Sequence, residues 1–292
     1  MLREGLTAEF PFAGRAIGAV RAWRPRAHRE RPLWAAISGF GAGWIVSTVG
    51  QVLVSPFRLA GLRDAAAILA GAVVVLGAAA ALALAWRAGG RRGLLTYLAL
   101  LVSITALRWI ATIPGLLTFC SRTGDPGCID ARLMALAASE ARTLAGLVLG
   151  AVAVRAVGSS GRGTNPLLAG AGAYSLAVAV EGSLLSVSGL ASPDPAVGTA
   201  LIVAIPALAG FVAGVVLRAR ATAWPRPALL LAGFLLFFWA AVQLPLRVTS
   251  GPVPGPFDLV YTLLGPIEAA AVLVGAGLPL PGREARRTAR EG

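Results

Sequence analysis

The sequence predicts an all-α protein, a polytopic integral membrane bundle of about eight transmembrane helices. Three observations predict it. The 292 residues are 57% hydrophobic with a mean hydropathy of +0.77, far more apolar than a soluble domain. Apolar runs of about 20 residues, long enough to cross the hydrocarbon core of a bilayer, recur along the chain. The breaks between them are short and rich in Arg, Gly or Pro.

Residues 1–32 form an Arg-rich leader with no apolar run long enough for a signal-peptide core. Its plain reading is a cytoplasmic flank. Phe10, Phe12, Ile17, Val20 and Trp23 set against Arg15, Arg21 and Arg24 also suit a short interfacial helix. The transmembrane domain occupies residues 33–280. Its first span, about Leu33–Val54, is rich in Gly, and the second is about Asp64–Trp86. The third starts near Gly93 and reaches the Pro114–Cys120 region, and the fourth is Leu133–Val154. The fifth is about Pro166–Leu190, the sixth Val197–Leu217, the seventh Pro227–Leu246 and the eighth Phe257–Pro279. Pro206 and Pro266 fall inside spans and should kink them. The pairs Gly39–Gly43, Gly146–Gly150 and Gly210–Gly214 let helices approach closely, and their expected use is packing within the bundle. Residues 281–292 form a basic tail.

Arg placement orients the chain. Nineteen Arg lie in the leader, the breaks after the second, fourth and sixth spans, and the tail. The opposite set of connections holds four: Arg58, Arg63, Arg122 and Arg132. This asymmetry predicts both termini in the cytoplasm of a cell whose cytoplasmic membrane holds the protein. Trp34, Trp86 and Trp224 fall at the cytoplasmic boundary as an aromatic belt. Cys120 and Cys128 flank the turn sequence Gly124-Asp125-Pro126-Gly127 on the other, oxidising side, which predicts a disulfide.

Composition also excludes chemistry. All 26 basic residues are Arg, so no Lys can form a Schiff base or serve a phosphate-binding loop. His28 is the single histidine and lies outside every span. Histidine-ligated haem and a histidine-dependent intramembrane protease are thereby excluded. Two cysteines without a nearby histidine make a metal site unexpected, and no cofactor is expected. The net charge of +13 sits between apolar runs rather than on one soluble face, so nucleic acid is not an expected partner. Gly158-Ser159-Ser160-Gly161 matches the string of rhomboid-type proteases. It falls in a cytoplasmic loop with no histidine to activate the serine, and is rejected.

Three Glu and three Arg lie inside or at the edge of spans: Arg108, Glu140, Arg142, Glu181, Arg247 and Glu268. At 1.5 Å per residue they all fall in the outer half of the bilayer or near its centre. A charge near the centre costs roughly 2.5–3.5 kcal/mol on insertion scales, so each needs a partner. Glu140 and Arg142, two residues apart, point to different sides of their helix, and Arg108 on the preceding span is the natural partner for Glu140. Tyr174 shares a face with Glu181, and Tyr261 with Glu268, at seven-residue spacing.

These residues suggest a polar cavity open to the outside, with Glu140, Glu181 and Glu268 as substrate- or proton-binding groups. Arg108 and Arg142 would meet an anion, with Tyr174 and Tyr261 completing the site. The expected function is a carrier or permease-like protein for a small or anionic solute, with proton linkage as an option. One alternative is a membrane-embedded enzyme acting on a lipid-linked substrate, with Glu as acid or base and Arg on a phosphate. The poor stock of nucleophiles and bases weighs against it. The other alternative is a non-catalytic membrane component held together by buried ion pairs. Expected partners are the lipid bilayer and a small solute or lipid headgroup.

Overall fold

The computed structural model describes residues 31–123, 127–156, 164–191, 195–220, 225–249 and 257–277. The leader with His28, the residues Gly124, Asp125 and Pro126, the Gly158–Gly161 string, Trp224 and the basic tail lie outside the described residues. Every described element is helical: α1 (Arg31–Leu59), α2 (Arg63–Thr123), α3 (Cys128–Ala156), α4 (Pro166–Ala191), α5 (Pro195–Arg220), α6 (Pro225–Phe238), a π-helical segment (Trp239–Gln243), α7 (Leu244–Thr249) and α8 (Phe257–Gly277).

Local sequence sets the helix ends. The Gly61 N–H donates to the Arg58 carbonyl and the Leu62 N–H to the Phe57 carbonyl. This pairing closes α1 with a left-handed residue, and Gly61 takes it up at φ 75° without a Cβ penalty. At the start of α4 the Asn165 side chain accepts from the Leu167 N–H at 2.9 Å. Pro166 follows in the first helical position, where its missing N–H costs nothing.

Two elements depart from expectation. The break at Arg87–Arg92 is not a loop: α2 is helical on both sides of a single residue, Gly90, at φ 57° and ψ −149°. The chain reverses there, because a Cβ on Gly93 would stand 2.7 Å from the Ala85 carbonyl oxygen. The second and third predicted spans are thus two arms of one helical hairpin. The expected seventh span is also irregular. The Leu244 N–H donates to the Trp239 carbonyl, a five-residue step that widens one turn just before Pro245. Proline lacks an N–H and its ring crowds the carbonyl one turn back; the wider turn accommodates both.

Small residues bring the helices together. Gly39 and Gly43 of α1 face Ala81 and Gly77 of α2's first arm. Gly146 and Gly150 of α3 face Val75, Ala78, Ala79 and Leu82 of the same arm. Gly210 and Gly214 of α5 pack on the Glu268 and Val272 carbonyls of α8. All three predicted glycine pairs therefore serve packing inside the bundle. The tightest approach joins α1 to α4: a Cβ on Gly172 would collide with the Ile37 carbonyl, and one on Gly41 with the Leu168 carbonyl.

The buried core divides at α1. On one side Ala36, Ala81, Leu82, Ala85 and Tyr97 pack with Phe40 and Leu147. On the other, Tyr174, Ala209, Leu217, Leu231, Leu235 and Val272 pack with Trp44. At one end of the bundle Arg220 donates to the Thr164 hydroxyl at 2.6 Å and lies 4.6 Å from the Trp34 ring centroid, tying α5 to α1 and the start of α4.

Five helical stretches are long and apolar enough to cross a membrane by length and composition: Arg31–Leu59, Arg63–Pro114, Cys128–Arg155, Val203–Arg220 and Pro225–Leu246. Pro166–Val180 and Leu263–Gly277 are shorter apolar helices. Their outward faces are apolar too. Leu53, Ile68, Val102, Ile110, Met134 and Val148 are each more than 60% exposed, far beyond what a soluble monomer leaves in contiguous patches. These surfaces point to a membrane protein.

Candidate functional site

The charged residues singled out in the sequence occupy two places. The first lies between α2's second arm and α3. Cys120 and Cys128 are disulfide-bonded with their Cα atoms 5.6 Å apart, and Leu116 and Ile129 pack around the bond. This clamp sets the register of two antiparallel helices. Arg108 precedes Cys120 by twelve residues and Glu140 follows Cys128 by twelve, so each lies roughly 18 Å from the clamp, at the same level.

Arg108 Nη1 stands 3.6 Å from Glu140 Oε1. That distance is a charge–charge contact rather than a hydrogen bond, and the buried Glu140 Oε1 makes no hydrogen bond. The Arg108 side chain is 47% exposed and that of Glu140 20%. Neighbouring hydroxyls do not serve the carboxylate: Ser103 and Thr143 donate to the carbonyls of Ala99 and Ser139 on their own helices. Arg142 turns to the other side of α3, as its two-residue offset requires, and its Nε lies against Gly71 of α2's first arm. Glu140 and Arg142 of α3 therefore face different arms of α2.

The second place lies between α4 and α8. The Tyr174 hydroxyl, on a buried ring, donates to the half-buried Glu268 carboxylate. Trp44 of α1 packs against Tyr174 in a tilted arrangement with ring centroids 5.0 Å apart and meets Phe234 of α6 edge-on at 5.4 Å. One turn along α8, Gly265 leaves the room that the Trp239 ring of the π segment fills. On the remaining side Gly210 lets the α5 backbone close on the Glu268 carbonyl. Among the described residues, no basic side chain pairs with Glu268.

The sequence reading put Tyr174 with Glu181 and Tyr261 with Glu268, along single helices. The pairing seen is between helices, Tyr174 with Glu268. The side chains of Glu181, Tyr261 and Arg247 lie outside the described residues. Sequence reasoning missed Trp44, Phe234 and Trp239. The available signals were a tryptophan in the middle of a span rather than at its edge, and Pro245 near the π turn. Among the described residues no group of three His, Cys, Asp or Glu side chains could hold a metal ion.

No family model, curated protein or solved structure matches this chain. The functional reading therefore rests on the residues themselves.

Proposed function

We propose that the chain is a membrane carrier of eight spans, with both termini cytoplasmic, in which Glu268 takes up the proton or cation that is moved. The observation that carries this is the carboxylate itself: it sits between helices, hydrogen-bonded to Tyr174, with no basic partner among the described residues. A charge in apolar surroundings is tolerated only when neutralised or paired. A carboxylate without a fixed cation is suited to one that comes and goes.

Depth supports the same reading. Trp44 stands eleven residues past Leu33, Tyr174 eight past Pro166, and Glu268 eleven past Phe257. At 1.5 Å per residue these offsets are roughly 12–17 Å, near the middle of a ~30 Å core. Arg108 is less suited to hold an anionic solute, because Glu140 already faces it. That pair is assigned to structure, the role of the non-catalytic alternative, confined here to one part of the bundle.

The test is proton flux into proteoliposomes driven by a potassium diffusion potential, read with a trapped pH dye. The wild-type protein should conduct protons above empty liposomes and Glu268→Gln should not. Equal flux in both would remove Glu268 from the mechanism.

A further inference from the structure

We propose that the solute bound beside Glu268 is a lipophilic organic cation, such as a hydrophobic amine or phosphonium. This deepens the carrier reading and rests on it. Three observations converge on that class.

The first is charge. An anion would meet the Glu268 carboxylate, and no basic side chain pairs with it among the described residues. The candidate arginines are elsewhere, Arg108 on Glu140 and Arg142 against Gly71. The second is the aromatic cluster to which the Glu268 partner Tyr174 belongs. Trp44, Tyr174 and Phe234 come from three different helices, with Trp44 centroid separations of 5.0 Å and 5.4 Å to the other two. Trp239 adds a fourth ring against Gly265, three residues from Glu268. Rings attract a cation within about 6 Å of their faces, tryptophan most strongly. The third is what is absent from the donor set. A small metal cation requires about six oxygen ligands, whereas among the described residues the groups joined here are one carboxylate and one hydroxyl beside aromatic rings. A large, weakly hydrated cation needs only a counter-charge and apolar contact.

Trp44, Phe234 and Glu268 are each only partly buried, so the cluster is not sealed. The exchange balances: protonated Glu268 releases its proton to water as the cation arrives. The carboxylate then pairs with that cation, and no covalent bond other than O–H changes. The Tyr174 hydroxyl continues to donate to the same carboxylate.

The test uses the full-length protein in detergent with tetraphenylphosphonium as the probe and tetraphenylborate as its anionic counterpart. Binding is read by tryptophan quenching, and proton release by calorimetry in two buffers of different ionisation enthalpy. The expected result is tetraphenylphosphonium binding with release of a proton, weakened at least tenfold in Glu268→Gln and several-fold in Trp44→Leu, with no binding of tetraphenylborate. Should Glu268→Gln fail to fold, Glu268→Asp and Phe234→Ala provide the same comparison. Tetraphenylborate binding as well as the cation, or cation binding unchanged by these variants, would overturn the proposal. If proton flux depends on Glu268 while tetraphenylphosphonium does not bind, the cation class fails and the carrier reading survives. If neither flux nor binding responds to Glu268, both fall.

Discussion

Glu140 and Glu268 are the same residue in the same kind of helix, yet their surroundings differ, and the proposed function assigns them different roles. Glu140 faces Arg108 at 3.6 Å in a hairpin whose end is clamped by Cys120–Cys128. Its carboxylate faces that guanidinium at the level the clamp sets. Glu268 has a neutral donor, Tyr174, whose ring packs against Trp44, which in turn meets Phe234. The comparison teaches that an intramembrane carboxylate signals function only after its partner is known. On the proposed carrier reading, a fixed cation makes it a fastener, and a carboxylate with no basic partner among the described residues is open to a mobile one.

Five variants test this contrast. The largest effect is on activity: Glu268→Gln should reduce proton flux to the level of empty liposomes while thermal unfolding in detergent moves little. Next, Glu140→Gln alone should destabilise the bundle by about 1–3 kcal/mol, since it strands Arg108. The exposure of Arg108 keeps the effect toward the lower end. The double variant Arg108→Gln with Glu140→Gln should recover part of that loss, a coupling that a double-mutant cycle on thermal unfolding reads directly. Gly172→Ala should cost a similar amount, roughly 1–3 kcal/mol, because the added methyl collides with the Ile37 carbonyl. Cys120→Ser should cost a comparable amount, about 2.5 kcal/mol by the closure entropy of so short a loop. It should lower the unfolding temperature as much as reductant lowers that of the wild type.

Much of the architecture was legible in the sequence because it depends on local composition. Apolar length marks helices, and a turn between two cysteines marks a disulfide. The Asn165–Pro166 step, though not singled out there, is a local helix start of the same kind. The Arg108–Glu140 contact was within reach for the same reason, since adjacent helices joined by a short turn bring equal offsets to one level. What escaped was non-local or subtle. Arg87, Arg91 and Arg92 resemble a loop, but helical hydrogen bonding continues up to Gly90 from both sides and needs only one left-handed residue to reverse. The π turn at Trp239–Gln243 shifts the register by one residue, which leaves no trace in a uniformly apolar span. Tyr174–Glu268 depends on which helices pack side by side. A seven-residue stripe identifies a face and says nothing about what lies opposite.

On the proposed function Glu268, and not Glu140, exchanges a proton. A pH-induced infrared difference spectrum of the protein in lipid measures this directly, through the carbonyl stretch of a protonated carboxyl group. The account predicts a band that disappears on alkalinisation, is missing in Glu268→Gln and remains in Glu140→Gln. A band that persists in Glu268→Gln, or is lost only in Glu140→Gln, would contradict it.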